Sequence, residues 1–348
     1  MKKIFFILAL LCSSVFAIEL DTKIGQMILV GFNGDDVNSS EFQKVLDKSK
    51  NGEITGVILF KKNIKSKDDL IKMNEELIEN SPITPLISID NEGGYVQRYN
   101  FIKHKSAKDV AELSTKEARK EYLIMANLLK ELKINLNFAP CVDLEINKNS
   151  IISTKERSYG ENPNTVTKYS KIFIEEHNKK GIITSIKHFP GHGSVEGDTH
   201  LGFVDATRTF KGQELKPYIN LKNYDKLNMV MVSHIFNANL DKKYPASLSK
   251  KTIKEFLIDE IGFDGVIISD DYDMGAIRKN YSLREIVVNS INAGVNILMF
   301  SNNIEIDDDD ISTKIKKIIK EELLLGNIKI QDIDNSYNKI MKLKNNLK

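Results

Sequence analysis

Three of the six histidines in this 348-residue chain lie in one short polar stretch. It reads Lys187-His188-Phe189-Pro190-Gly191-His192-Gly193 and is followed by Asp198-Thr199-His200. Asp198 and His200 are two residues apart in a glycine-flanked loop, so the carboxylate could orient the imidazole and raise its basicity. The pattern is therefore suited to general acid–base chemistry, although a solvated turn would explain the same three residues.

The spacing of His188 and His192 also fits a zinc site, since two histidines four residues apart on a helix can share one metal ion. Pro190, Gly191 and Gly193 disfavour a helix at this position. No glutamate separates the two histidines, as the metalloprotease pattern would require. We therefore predict no metal here.

A second chemical candidate is Asp270, which ends an apolar run over 265–270 and is followed by Asp271. Glycosidic bond cleavage needs a carboxylate on one face of the anomeric carbon and a proton donor on the other, and Asp270 fits the first role. Asp271 could raise the proton affinity of the pair, whereas a nearby lysine or arginine would keep the nucleophile ionised. The alternative for Asp270 is a helix N-cap after a strand.

Eight short apolar runs could position these groups at their carboxyl ends. They cover residues 28–32, 56–60, 86–90, 136–140, 182–189, 229–234, 265–270 and 296–301. Stretches of helical period lie between most of them, such as 68–79, 115–132, 165–180, 249–261 and 282–293. The pattern predicts an α/β fold with a parallel sheet, and eight such units close a single (β/α)8 TIM-type barrel. A doubly wound open sheet is the alternative.

Charged and polar residues recur where these runs end, including Asp90, Lys187, His234 and Asp270. In a closed barrel they would converge on one face and form a pocket. The chain has no GxSxG elbow, P-loop or dinucleotide-binding glycine pattern, which argues against serine hydrolases, NTPases and dehydrogenases.

The rest of the chain predicts one catalytic domain over 18–348. Two amphipathic stretches, 311–325 and 332–347, are predicted as helices packed outside the barrel, and the acidic run 307–310 as a solvated helix start. No proline-rich or low-complexity linker interrupts the pattern.

The first 17 residues have the pattern of a cleavable signal peptide. Lys2 and Lys3 precede an apolar run over 4–11, and small residues lead to a cleavage point after Ala17. A lipid anchor on Cys12 and a buried N-terminal helix are the alternatives. We expect a periplasmic or secreted protein in which Cys141 is the remaining cysteine, so no intramolecular disulfide can form.

The charge balance indicates no polyanionic partner. The chain has 50 basic and 48 acidic residues, and removal of Lys2 and Lys3 makes these numbers equal. We therefore expect no nucleic acid or membrane surface as a partner. The length of the apolar runs predicts no membrane span, and we expect a monomer.

The segment Gly265-Val-Ile-Ile-Ser-Asp-Asp-Tyr-Asp-Met274, together with 187–200, resembles the signature of family 3 glycoside hydrolases, in particular their single-domain β-N-acetylglucosaminidase branch. Further segments resemble the family in the same order: Ile24-Gly-Gln-Met27, Gly56-Val-Ile-Leu-Phe60, Ile89-Asp-Asn-Glu-Gly-Gly94 with Val96-Gln-Arg98, Asn137-Phe-Ala-Pro140 with Asp143, Arg157-Ser-Tyr-Gly160, Met231-Val-Ser-His234 and Ala293-Gly-Val295.

This resemblance implies roles for eight residues. Asp270 would be the nucleophile, and His200 the general acid and base with Asp198 as its partner. The residues that would hold the sugar in the first subsite are Asp90, Arg98, Arg157, Lys187 and His188. The implied activity is that of a retaining exo-β-N-acetylglucosaminidase acting on short glycans such as peptidoglycan fragments, with no metal or organic cofactor.

Three other functions remain open at this point. They are a β-glucosidase or β-xylosidase, a GlcNAc phosphorylase, since a histidine in place of a carboxylate would not repel phosphate, and a non-catalytic sugar-binding barrel. The chain departs from the family pattern at Tyr95, Ser194, Thr199 and Asn296, so its substrate preference need not follow that of the family.

Overall fold

The computed structural model describes residues 19–199, 201–302, 310–345 and 347. All eight predicted strands are present: β1 Ile28–Gly31, β2 Gly56–Leu59, β3 Leu86–Ile89, β4 Leu136–Asn137, β5 Ile183–Phe189, β6 Met229–Val232, β7 Val266–Ser269 and β8 Leu298–Phe300. They pair in parallel in the order β7-β6-β5-β4-β3-β2-β1-β8. The amide of Ser269 donates to the carbonyl of Ile297 at 3.1 Å, next to a bridge between Ile268 and Ile297. The sheet therefore closes into a (β/α)8 barrel, and the open-sheet alternative is wrong.

Every residue of the eight strands is buried. One face packs inside the barrel and the other against the surrounding helices, which explains why the strands are apolar throughout in sequence. Several strands are shorter than predicted. β4 ends at Asn137, three residues before Pro140, which has no amide hydrogen for a ladder.

The helices surround the barrel and connect its strands. They are α1 Ser40–Lys50, α2 Lys67–Asn80, α3 Ala107–Ala111, α4 Thr115–Glu131, α5 Ile151–Thr154, α6 Pro163–Asn178, α7 Lys216–Leu221, α8 Lys251–Glu260, α9 Gly275–Arg278, α10 Leu283–Ala293, α11 Ile311–Leu324 and α12 Ile330–Asn345. The five predicted inter-strand helices correspond to α2, α4, α6, α8 and α10. The α8 segment has π-helical rather than α-helical hydrogen bonding. The helices α1, α3, α5, α7 and α9 were not predicted from the sequence.

The two C-terminal helices lie outside the strands, as predicted. Asp310 caps the start of α11, where its side chain accepts from the amide of Thr313 at 3.2 Å. Lys339 of α12 pairs with Asp264 before β7 at 3.1 Å. The predicted signal peptide lies outside the described residues, as do positions 307–309 of the acidic run. Among the described helices, none has the length and apolar character needed to cross a bilayer.

Lys344, near the end of α12, is buried beneath the barrel. Its Nζ donates to Gln26 Oε1 and to the carbonyl of Thr55, both at 2.7 Å. Burial lowers the pKa of Lys344 to about 7. A lysine in the unfolded chain has a pKa of about 10.4, so the unfolded chain binds more protons than the folded protein between these two values.

We therefore expect the free energy of unfolding to rise by about 1.4 kcal/mol per pH unit between pH 7 and about pH 10 because of Lys344. The Lys344→Met variant should lose this slope. Denaturant unfolding at pH 7, 8 and 9 measures it, with the exposed Lys342→Met on the same helix as the control. Identical slopes for wild type and Lys344→Met would contradict the expectation.

Candidate active site

A cavity of about 270 Å³ opens at the carboxyl ends of the strands. Seven of the eight predicted site residues line it: Asp90, Arg98, Arg157, Lys187, His188, Asp198 and Asp270. The eighth, His200, lies outside the described residues. The barrel thus brings together residues that are up to 180 positions apart in sequence, because the carboxyl ends of parallel barrel strands meet at one face.

Asp90 is at the centre of an ion-paired cluster at one side of the cavity. Lys187 Nζ lies 2.7 Å from its Oδ1 and Arg98 Nη2 lies 2.9 Å from its Oδ2. Burial alone would raise the pKa of Asp90, but the charges of Lys187 and Arg98 hold it well below its usual range. The carboxylate is therefore ionised and fixed in orientation, so it can accept hydrogen bonds from ligand hydroxyls.

Glu92 forms a second buried pair behind this cluster. Its Oε1 lies 2.8 Å from Lys187 Nζ and 2.7 Å from Arg157 Nη2, and its Oε2 accepts from Arg157 Nε at 2.9 Å. Burial opposes ionisation of Glu92, yet the charges of Arg157 and Lys187 lower its pKa. Lys187 is thus shared between Asp90 and Glu92, and each carboxylate also has its own arginine.

His188 is held between Arg157 and Asp143. Arg157 Nη2 lies 3.2 Å from His188 Nε2, and His188 Nδ1 lies 2.6 Å from Asp143 Oδ2. Because arginine can only donate, Nε2 accepts and Nδ1 donates to Asp143. Asp143 also accepts from the amide of His192 at 2.8 Å. The carboxylate therefore sets the tautomer and the ring orientation of His188.

Cys141, Asp143 and His188 bring three potential ligand atoms within 4.8 Å of one another. Protein hydrogen bonds already account for this arrangement. Cys141 Sγ donates to Asp143 Oδ2 at 3.3 Å, and the same oxygen accepts from His188 Nδ1. The three side chains are therefore close together because Asp143 accepts hydrogen bonds from both Cys141 and His188.

Asp270 follows β7, which lies across the barrel from β3 and Asp90, and it lines the same cavity. Its Oδ1 accepts from the amide of Asp271 at 2.9 Å. The next helix, α9, begins at Gly275 with Met274 as its N-cap. The helix-cap alternative for Asp270 is therefore wrong, and Asp270 lines the cavity.

The Asp271 side chain forms hydrogen bonds with Ser301, the residue that follows β8. Its Oδ1 accepts from the amides of Ser301 at 2.9 Å and Asp273 at 3.0 Å, and its Oδ2 accepts from the Ser301 hydroxyl. Burial and the neighbouring Asp273 charge raise the pKa of Asp271. The two adjacent carboxyl groups are therefore in different environments, and Asp271 fixes the backbone that carries Asp270.

Asp198 lies on the long loop that follows β5 and lines the same cavity as Asp270. Its carbonyl accepts from the amide of Leu201 at 3.0 Å. The carbonyl of the next residue, Thr199, accepts from the amide of Ala276 in α9 at 3.1 Å. The loop is thereby attached to the segment that follows Asp270.

Glu214 accepts hydrogen bonds from backbone amides in the first part of this loop. Its Oε2 accepts from the amides of Gly193 at 2.9 Å and Ser194 at 3.2 Å, and its Oε1 from that of Lys211 at 3.0 Å. The side chain is buried, which raises its pKa. A Cβ at Gly191 would lie 2.6 Å from Glu214 Cβ, so only glycine fits at this contact.

Glu92, Asp143 and Glu214 were assigned no role from the sequence. Glu92 and Asp143 stand close to strand ends in the sequence, which was the available signal for them. Glu214 has no such signal, because it lies far from any strand end and 20 residues after Ser194, whose amide it accepts.

The chain matches a known protein family and resembles curated members of it. A model described as the glycosyl hydrolase family 3 N terminal domain matches residues 19–343. The beta-hexosaminidase of Actinobacillus pleuropneumoniae serotype 3 is 34% identical over 264 residues, or 72% of this chain and 75% of the relative. That of Tolumonas auensis is 32% identical over 262 residues, or 72% and 76%.

A solved structure of the same family has a similar fold. The glycoside hydrolase family 3 β-N-acetylglucosaminidase from Paenibacillus sp. str. FPU-7 superposes with a TM-score of 0.84 at 27% identity. The match covers 94% of this chain and 62% of that longer chain, so the present chain spans less than two thirds of it. With the family model matching nearly the whole described barrel and with eight parallel strands around the cavity, this chain belongs to glycosyl hydrolase family 3.

Proposed function

We propose that the chain is a retaining exo-β-N-acetylglucosaminidase that releases terminal β-linked GlcNAc from short glycans such as peptidoglycan fragments. The observation that carries the proposal is that Asp270 and Asp198 line one cavity together with the ion-paired Asp90. The cavity thus has a nucleophile, the partner of an acid–base group and a fixed hydroxyl acceptor. The beta-hexosaminidase relatives support the same sugar preference.

In the first step, the Asp270 carboxylate attacks the anomeric carbon and forms a glycosyl ester. The bond to the aglycone oxygen breaks, and that oxygen takes a proton from His200. In the second step, His200 removes a proton from water, which attacks the anomeric carbon and releases Asp270. Two inversions give net retention of the β configuration. Asp198 would orient the imidazole and stabilise its protonated form.

The sugar would be held by the cluster around Asp90. Asp90 accepts hydroxyl hydrogens, while Arg98 and Lys187 already compensate its charge at 2.9 Å and 2.7 Å. Arg157 and His188 line the same cavity. Because these groups are fixed by one another before substrate binds, little ordering is required when the sugar enters.

The test uses the purified protein on p-nitrophenyl β-GlcNAc and on the corresponding β-glucoside, with product followed by NMR. We expect faster turnover of the GlcNAc substrate, initial release of β-GlcNAc, and an adduct on Asp270 after incubation with a fluorinated glycoside. Faster turnover of the glucoside would contradict the substrate class. A product carrying phosphate, seen only when phosphate is added, would instead support a phosphorylase.

Export through cleavage after Ala17 is part of this proposal and places the enzyme beside the cell wall. N-terminal sequencing of the protein recovered outside the cytoplasm tests it. A protein that retains Met1 in the cytoplasmic fraction would contradict it.

Glu214→Gln is expected to lower kcat on p-nitrophenyl β-GlcNAc by about 10- to 100-fold, the cost typical of a misplaced catalytic group. The amide nitrogen cannot accept the N–H groups that now point at the carboxylate, so the loop carrying Asp198 loses part of its anchor. KM should change little, because the hydrogen bonds of Glu214 go to the amides of Gly193, Ser194 and Lys211 and not to the residues around Asp90. Steady-state kinetics measures this split.

Glu196→Gln is the matched control, since Glu196 is exposed on the same loop and contacts Asn147 and Asn149. It should retain wild-type kcat. A Glu214→Gln variant with wild-type kcat and reduced thermal stability would show that Glu214 has no positioning role.

A further inference from the structure

The mouth of the cavity has an exposed aromatic ring beside a lysine. Tyr95 is 64% exposed, although it lines the cavity, and Lys155 Nζ lies 5.3 Å from the centroid of its ring. A tyrosine ring offers a large apolar face with a polar tip, which suits contact with a partly polar ligand such as a sugar ring. The pair is separate from the ion-paired cluster deeper in the cavity.

The backbone fixes Tyr95 in this position. Gly93 and Gly94 have φ values of 93° and 58°, and the amide of Gly94 donates to the carbonyl of His104 at 3.0 Å. A Cβ at Gly93 would lie 2.2 Å from the carbonyl oxygen of Lys105. The tight turn closes where the amide of Val96 donates to Gly93 at 3.2 Å. The turn that carries the ring therefore requires glycine at position 93.

Lys155 reaches the mouth from a different segment, the one that follows β4. It follows α5, and two residues later Arg157 turns inward and pairs with Glu92. The amide of Arg157 donates to the carbonyl of Ile152 at 2.9 Å, which fixes the reversal. Arg157 is thus directed to the base of the cavity, while Lys155 is exposed at its mouth.

The charge balance of the cavity distinguishes Lys155 from the other cations. Arg98, Arg157 and Lys187 each pair with Asp90 or Glu92 within 3 Å. Among the described residues, no carboxylate lies within 4.0 Å of Lys155 Nζ. Its positive charge is therefore available to a ligand that extends from the cavity past Tyr95.

We propose that Tyr95 and Lys155 form an aglycone subsite for a sugar that carries a carboxylate. The inference rests on the proposed function, since a terminal sugar bound at Asp90 leaves its aglycone at the mouth. The apolar face of the aglycone ring would stack on Tyr95, and the Lys155 ammonium would donate a charge-assisted hydrogen bond to the carboxylate.

The experiment compares two disaccharides, GlcNAc β-1,4-linked to N-acetylmuramic acid and its methyl ester. Wild-type kcat/KM should be about fivefold higher for the acid, as expected of one exposed ion pair. Lys155→Met should bring the ratio of acid to ester to about one, and Lys155→Glu below one. Tyr95→Ala should lower kcat/KM for both substrates by a similar factor. Salt at 0.5 M should reduce the wild-type ratio.

Lys168→Met is the matched control. Lys168 Nζ lies 5.0 Å from the Tyr169 ring centroid, so it makes the same kind of contact, but on α6 and outside the cavity. It should leave the ratio of acid to ester unchanged. Equal wild-type rates for acid and ester, or a preference retained in Lys155→Met, would overturn the inference.

The two proposals fail in different ways. Wild-type enzyme that cleaves neither disaccharide nor p-nitrophenyl β-GlcNAc would overturn the proposed function, and the subsite with it. Wild-type enzyme that cleaves p-nitrophenyl β-GlcNAc and both disaccharides without discrimination would overturn the subsite alone.

Discussion

Asp270→Asn is expected to lower kcat on p-nitrophenyl β-GlcNAc by on the order of 10⁴- to 10⁶-fold, the range seen when a nucleophile is removed. The amide has nearly the same size, and its oxygen can still accept from the amide of Asp271, so the backbone should be retained. It cannot form the glycosyl ester, however, because a neutral amide is a poor nucleophile. Steady-state and single-turnover kinetics measure the loss.

Asp264→Asn is the matched control. Asp264 precedes β7 at the opposite end of the barrel, and its side chain is 90% exposed while it pairs with Lys339. Catalytic residues of such barrels come from the carboxyl ends of strands, so this variant should retain wild-type kcat. Circular dichroism of both variants tests whether they fold.

A chemical rescue identifies the role of Asp270 further. In Asp270→Ala, azide should enter the space left by the carboxylate, attack the anomeric carbon and yield the α-glycosyl azide. Asp270→Asn with more than a tenth of wild-type kcat would contradict the nucleophile role. Absence of the azide product would favour attack by the substrate's own acetamido group.

The strands could be predicted from sequence because each is buried on both faces and therefore reads as a continuous apolar run. Barrel closure was predicted from their number, and the contact between Ile268 and Ile297 confirms it. The α1 helix was missed because its buried residues, such as Phe42, Val45 and Leu46, are spread among seven exposed or half-buried polar positions. Its polarity reflects how little of its surface faces the barrel.

The residues lining the cavity could be predicted because they follow strands, where side chains of a closed barrel must converge. The residues that position these cavity-lining side chains could not be predicted from the sequence. Asp143 acts on His188 across 45 positions, and Glu214 acts on Gly193 across 21. Lys155 and Tyr95 meet across 60 positions without any shared strand. Such contacts depend on how loops fold over the barrel, which no local pattern specifies.

Lys187→Met is expected to lower the free energy of unfolding by about 3–5 kcal/mol, the cost of removing one partner from a buried ion pair. Lys187 is 2% exposed and lies 2.7 Å from Asp90 and 2.8 Å from Glu92. The variant leaves both carboxylates buried with one arginine each. Sugar binding should weaken as well, because Asp90 loses the cation that fixes its orientation. Denaturant unfolding at pH 7 measures the stability change.

The pH dependence of stability tests whether the loss of charge causes the destabilisation in Lys187→Met. In the folded wild type the pKa values of Asp90 and Glu92 lie below those of the unfolded chain, which are about 4. Their stabilisation is therefore fully present above pH 5 and is lost as the pH falls through the folded values. Without Lys187 both folded pKa values should rise toward those of the unfolded chain, so the folded variant binds protons at a higher pH than the folded wild type does. The stability difference between wild type and Lys187→Met should consequently shrink as the pH falls from 6 toward 3.

Lys67→Met is the comparison for an ordinary surface pair, since Lys67 lies 2.6 Å from Glu131 and both side chains are substantially exposed. It should lower the free energy of unfolding by less than about 1 kcal/mol and show no such pH dependence. If Lys187→Met followed the wild-type curve in parallel down to pH 3, its loss of stability would come from packing and not from charge. The assignment of Lys187 as the shared counter-ion of the sugar-binding cluster would then be wrong, because a shared counter-ion must alter the protonation of both carboxylates when it is removed.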